Sequence, residues 1–79
     1  MTRRVLITGA AGYLGSTLVA ELARRAAADG DLGCIVATDV REVPPERRLP
    51  GVEYATMDIR DPGLAELMRR HAIGVVVHL

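Results

Sequence analysis

A short apolar run, Arg4-Val5-Leu6-Ile7-Thr8, passes directly into Gly9-Ala10-Ala11-Gly12-Tyr13-Leu14-Gly15, after which the chain takes up a helical repeat. A strand, a glycine turn and a helix in that order form the opening of a βαβ unit, and few folds begin this way. Each glycine answers a separate steric demand. Gly9 lets the chain turn sharply off the strand, Gly12 removes the Cβ that would keep phosphate oxygens from the backbone, and Gly15 lets the helix lie close to the sheet. The free N–H groups of the first helical turn, around Tyr13 and Leu14, then point at an anion that the helix dipole favours. The other common phosphate turn, the P-loop, requires a lysine followed by serine or threonine, and this chain of 79 residues contains no lysine.

The remaining elements follow from periodicity. Leu14, Leu18 and Leu22 recur at helical spacing with Val19 and Ala23 beside them, which predicts an amphipathic helix. Glu21, Arg24 and Arg25 mark its wet side, and the two arginines suit the dipole at its C-terminal end. The helix is expected to run out in Asp29-Gly30-Asp31-Leu32-Gly33. Cys34 to Asp39 is almost wholly apolar, the pattern of a parallel strand buried on both faces. Three prolines make 41–51 a loop, and Val52 to Met57 alternates weakly as a third strand. Asp61 and Pro62 open a second helix as cap and first residue, carrying Leu64, Leu67, Met68 and His71 on one stripe. Gly74 breaks it, and Val75-Val76-Val77-His78-Leu79 forms a fourth strand.

The predicted fold class is therefore α/β, a partial Rossmann-like parallel sheet built β-α-β-β-α-β in the order 3-2-1-4. One helix per face leaves apolar strand surface uncovered. Residues 1–79 are accordingly expected to be the N-terminal part of an NAD(P)-binding Rossmann domain, with the rest of that domain and a substrate domain lying outside them.

Asp39 ends the second strand, where an acid can accept hydrogen bonds from the hydroxyls of an adenosine ribose. Its charge would repel a 2′-phosphate, so NAD is expected over NADP. Arg41, two residues on, works against that preference because it can reach a phosphate; its other reading is an exposed loop arginine. A tight βα turn with no ligand is the alternative for the whole constellation.

Charge and composition exclude other classes. The ten basic residues balance ten acidic ones, and the arginine pairs are dispersed rather than gathered on one face, which argues against nucleic acid. Cys34 is the single cysteine, so no disulfide framework or cysteine metal site is available, and it reads as a small buried hydrophobe. No stretch has the length to cross a membrane. Met1-Thr2-Arg3-Arg4 lacks the apolar segment of a secretory signal, making a cytoplasmic location the default.

The spacing Thr8-Gly9-x-x-Gly12-x-x-Gly15 resembles the extended branch of the short-chain dehydrogenase/reductase superfamily, the branch of NAD-dependent epimerases and dehydratases. The resemblance extends over essentially the whole chain. It implies that Asp58 in Met57-Asp58-Ile59-Arg60-Asp61 bonds an adenine amino group, and that Ile59 packs on the ring or offers its N–H. Asp58 as the start of a polar loop is the other reading. Val76-Val77-His78-Leu79 is similar to the family's cofactor-lining fourth strand, with His78 read as a packed histidine. The family's catalytic Tyr-x-x-x-Lys has no counterpart here, for Thr17 follows Tyr13 and Asp58 follows Tyr54 at that spacing. No catalytic residue is therefore assigned. The expected cofactor-binding set is Gly9, Gly12, Tyr13, Leu14, Gly15, Asp39, Asp58 and Ile59. The implied whole protein is an NAD-dependent epimerase, dehydratase or dehydrogenase acting on a nucleotide sugar or similar small molecule. A non-catalytic dinucleotide sensor or scaffold of the same fold is the alternative.

Overall fold

In the first strand, successive side chains go to opposite faces of a sheet, and that alternation organises the structure. The computed structural model describes residues 3–30 and 32–79. Met1, Thr2 and Asp31, which figured in the leader and helix-end expectations, lie outside the described residues.

Four strands, β1 (Arg3–Thr8), β2 (Leu32–Asp39), β3 (Val52–Thr56) and β4 (Val75–His78), join two helices, α1 (Tyr13–Asp29) and α2 (Gly63–Arg70). The sheet order is β3-β2-β1-β4 and every pair is parallel, as the chain pattern predicts. Val5 and Ile7 of β1, with Ile35 and Ala37 of β2, bury against Val19 of α1. Leu6 and Val36 point the other way and bury against Leu67 of α2. Each central strand is thus apolar on both sides, which explains its near-continuous hydrophobic run.

Two expectations for the first helix need correction. Leu14 is 70% exposed, so the buried stripe of α1 begins at Leu18 and continues through Val19, Leu22, Ala23 and Ala26. The first turn meets the strand end through Gly15, which is buried against Gly9 and Ala10, and Leu14 is left on its solvent side. Arg24 and Arg25 do not serve the helix dipole either: α1 continues to Asp29 and its last turn holds no basic residue. Both arginines instead pair with Glu21, at 2.5 and 3.3 Å. The alanines at 26–28 extend the helix by their high intrinsic propensity, and Gly30 ends it with an N–H donated to the Ala26 carbonyl at 3.1 Å.

The second helix begins one residue later than expected: α2 starts at Gly63 with Pro62, already in helical dihedrals, in the cap position, and the Asp61 carboxylate accepts the Gly63 N–H at 2.8 Å from just before it. Its end comes before Gly74: Ala72 takes a left-handed conformation at φ 51°. Arg69 and Arg70 occupy the last turn, as the dipole favours. Cys34 is half-buried against the α2 cluster. On the outer strand β4, Val75 and Val76 are 42% and 48% exposed and Leu79 is 49% exposed, so apolar surface does stay uncovered at that edge. No helix among the described residues is long and apolar enough to cross a membrane.

Leu6 is fully buried between the central strands and α2. Leu6→Ala should destabilise the protein carrying this chain by about 2–5 kcal/mol, read as a lowered midpoint in chemical denaturation.

Candidate functional site

The C-terminal ends of β1, β2 and β4 converge on the glycine turn. Gly9 has φ 70°, and a Cβ there would stand 2.9 Å from the Leu79 carbonyl oxygen. Gly15 is tighter still: its Cβ would fall 2.1 Å from the Gly9 carbonyl oxygen. Gly12 differs from both, since its nearest neighbours would be the Gly9 oxygen at 3.5 Å and Arg41 Nη2 at 3.6 Å. Two glycines are therefore required by the protein's own packing, whereas Gly12 leaves room at the surface.

Backbone bonds hold the turn. Ala10 N–H donates to the Thr38 carbonyl at 3.0 Å, Gly12 N–H to Gly9 at 3.2 Å, and Ser16 N–H to Gly12 at 2.9 Å. A helix gives its first N–H groups no intrahelical acceptor, and those of Tyr13 and Leu14 lie at the open end of α1. The first turn carries no acidic residue and no side-chain cap, so no side chain of α1 itself offsets its partial positive charge. Tyr13 is 84% exposed, so its ring does not pack against the protein.

Asp39 joins the turn to the second strand. It is 8% exposed; Oδ2 accepts the Ala11 N–H at 2.9 Å and Oδ1 accepts the Arg41 N–H at 2.9 Å. Arg41 Nε lies 3.5 Å from Oδ1. Burial pushes the carboxyl up, but the Arg41 and Ala11 N–H groups and the Arg41 charge outweigh it and hold Asp39 below the usual aspartate range. Its ionised form thus stabilises the fold above the ordinary aspartate pKa, and that contribution is lost as pH falls through the lowered value.

Asp58 and Ile59 follow β3. Met57 N–H donates to the Asp39 carbonyl at 2.9 Å, which brings this segment beside the second strand end. The Asp58 carboxylate pairs with Arg60 Nη2 at 2.8 Å and also accepts the Arg60 N–H at 2.9 Å. These bonds hold its pKa down to about 2. Ile59 is 51% exposed. The glycine turn and Asp39 are in direct contact, whereas Asp58 and Ile59 reach them through the Met57 backbone.

Other features escape a linear reading. His78 is exposed rather than packed in the core, and its Nδ1 lies 2.6 Å from Thr8 Oγ1. The two residues are register partners on β1 and β4, a pairing that strand order could have signalled. A cleft of about 290 Å³ opens between the start of α1 and the loop after β2, lined by Ala11, Ser16, Arg41, Arg47 and Tyr54 among others. Tyr54 Oη accepts the Leu49 N–H at 3.0 Å and so braces that loop. His71 sits at the end of α2 as a structural residue: its carbonyl accepts from Arg4 Nε, and its ring lies 3.8 Å from Cys34 Sγ. No group of three metal-ligating side chains occurs among the described residues.

Comparison with known proteins agrees with this fold. Residues 5–79 match the model of the NAD dependent epimerase/dehydratase family. The isonitrile lipopeptide synthase of Mycobacterium tuberculosis (strain ATCC 25618 / H37Rv) is 47% identical over 62 residues, which cover 78% of this chain and 2% of that protein. The dTDP-glucose 4,6-dehydratase of Bacillus anthracis str. Ames, solved in complex with NAD, superposes with a TM-score of 0.79 at 20% identity, over 99% of this chain and 26% of that one. A variant of Agrobacterium tumefaciens uronate dehydrogenase complexed with NAD gives a TM-score of 0.66 at 27% identity, over 100% of this chain and 26% of that one. The chain thus spans about a quarter of these solved structures and a small part of the synthase.

The glycine geometry separates folding from binding. Gly15→Ala should lower the melting temperature sharply, because its methyl group would overlap backbone. Gly12→Ala should melt close to the parent and lose measurable dinucleotide binding in calorimetry. A Gly12→Ala protein that binds normally would contradict the assigned approach path.

Proposed function

The chain belongs to the NAD-dependent epimerase/dehydratase family, and from that premise we propose that it forms the dinucleotide-binding part of an oxidoreductase, epimerase or dehydratase using NAD. The single observation that carries the reading is the Asp39 carboxylate bonded to the glycine turn through Ala11. One acid there serves two purposes: it fixes the turn, and its remaining lone pairs can accept ribose hydroxyls.

In this proposal the pyrophosphate lies against Gly12 and the N–H groups of Tyr13 and Leu14. Gly9 and Gly15 shape the turn without touching the ligand through side chains. The ribose hydroxyls donate to Asp39, which favours NAD over NADP because a 2′-phosphate would face a carboxylate. Asp58 and Ile59 border the adenine, with Ile59 offering apolar surface to the ring. The bound nicotinamide would supply hydride exchange with a substrate carbon.

The proton-transferring groups and the substrate pocket belong, in this reading, to parts of the protein beyond residues 1–79. The substrate would be a small hydroxyl compound such as a nucleotide sugar. The exposed apolar edge of β4 would then receive a further strand, as an uncovered parallel edge requires. A cytoplasmic location, with no nucleic-acid or membrane partner, forms part of the same proposal.

Asp39→Ala in the protein carrying this chain should weaken NAD by about 1–3 kcal/mol, the scale for hydrogen bonds to a charged group, with a smaller loss for NADP. Titration calorimetry at neutral pH measures both. Because Asp39 is held below the usual aspartate range, NAD affinity should be flat across neutral and mildly acidic pH. It should fall only below the ordinary carboxylate range. Unchanged NAD affinity in the variant would refute the assignment.

A further inference from the structure

The cleft beside the glycine turn contains a cation that the ribose and backbone assignments leave without a role. Arg41 Nε lies 3.5 Å from Asp39 Oδ1, while its Nη2 reaches to 3.6 Å from the point where a Cβ on Gly12 would stand. The guanidinium therefore spans from the proposed ribose acid to the glycine beside which phosphate oxygens would pass. We propose that Arg41 is a direct contact of the dinucleotide's pyrophosphate, held over the turn by Asp39 until the phosphate takes it. This inference rests on the dinucleotide reading above.

Three features support it. The first is charge. A pyrophosphate seated at the turn would lie close to the ionised Asp39, and the chain has no lysine to offset that repulsion. Arg41 stands between the two anions, where one cation serves both.

The second is how loosely Arg41 is held. Its side chain is 66% exposed and touches Asp39 through Nε at 3.5 Å. Arg60 grips Asp58 with Nε at 3.1 Å and Nη2 at 2.8 Å. A guanidinium in the first arrangement can pivot to a better anion, since two short charge-assisted bonds need not be broken first.

The third is that Asp39 does not depend on the Arg41 side chain for its place. Its oxygens are held by the backbone N–H groups of Ala11 and Arg41, each at 2.9 Å. The side chain can therefore leave Asp39 while the carboxylate keeps its position for the ribose. Ala10, Ala11 and Ser16 line the turn side of the cleft, while Glu42, Arg47, Leu49 and Tyr54 are among its other lining residues, so the turn itself presents only small side chains to the guanidinium.

The test compares adenosine, ADP, NAD and NADP binding to the protein carrying this chain and to its Arg41→Gln and Arg41→Lys variants. Melting curves would verify that both variants fold. Arg41→Gln should weaken ADP and NAD about tenfold, the scale of a lost charge-assisted bond, and leave adenosine unchanged. Its ADP affinity should also depend less steeply on ionic strength, because an exposed charge contact has been removed. Arg41→Lys should recover part of the loss, as a point charge without the planar fork. Equal losses for adenosine and ADP would overturn the inference, for Arg41 would then act by placing Asp39. A loss confined to NADP would overturn it in favour of a 2′-phosphate contact. Normal ADP and NAD binding by Arg41→Gln would refute the Arg41 inference alone. A parent protein that binds neither ADP nor NAD would refute the dinucleotide reading, and this inference with it.

Discussion

The approach of α1 to the turn after β1 is the constraint on which the site depends. At Gly15 the helix lies so near the Gly9 carbonyl that a methyl group would come within 2.1 Å of its oxygen. No side-chain movement relieves contact with backbone, so this closeness is set by covalent geometry. It lowers the start of the helix onto the strand ends and leaves its first N–H groups facing outward. The same closeness exposes Tyr13 and Leu14, the two residues of that turn with large side chains. With Gly15 facing the strand end, these two side chains stay in solvent, and the local cost in apolar exposure accompanies an open, positively polarised terminus.

Asp39 is the second organising element because three segments meet at this residue. Its carboxylate holds Ala11 of the turn and the Arg41 backbone, and its carbonyl accepts the Met57 N–H. A buried carboxylate is tolerated here because both oxygens accept backbone donors and a guanidinium lies beside them, which offsets the loss of water. The arrangement of Asp58 is different. It is more exposed, paired tightly with Arg60, and linked to the turn through backbone alone. An adenine contact at Asp58 would therefore compete with a short local ion pair, whereas a ribose contact at Asp39 would add to bonds already made.

How much could be read from the chain depended on whether a feature was local or required strand register. The glycine spacing, the burial of β1 and β2 and the 3-2-1-4 order follow from patterns that short stretches carry whole. Leu14 shows where periodicity misleads: a helical stripe does not reveal that Gly15, the residue beside it, makes the close approach to the strand end and leaves Leu14 in solvent. Arg24 and Arg25 were misplaced for a related reason, since an alanine run lengthens a helix without strengthening its pattern. The bond between Thr8 and His78 joins residues far apart in sequence, and neither residue type signals it. Only the parallel pairing of β1 with β4 does. Arg41 was visible as a residue of divided loyalties, and its place over Gly12 becomes evident only when the loop after β2 folds back.

The proposed contacts to the pyrophosphate come largely from backbone groups of the turn, with Asp39 and Arg41 as the charged side chains beside it. Backbone donors hold their positions only while the turn is folded, so binding and folding are linked through the same few residues. A ligand that binds the native state alone, present at a hundredfold excess over its dissociation constant, adds about 2.7 kcal/mol of stability. That is a large increment for a small α/β unit, whose surface burial is limited by its size. The β4 end is part of this linkage, since the Leu79 carbonyl packs against Gly9 and His78 bonds Thr8. Disturbance of the outer strand is therefore transmitted to the phosphate turn through two contacts at adjacent residues, and occupation of the turn should in turn steady the outer strand.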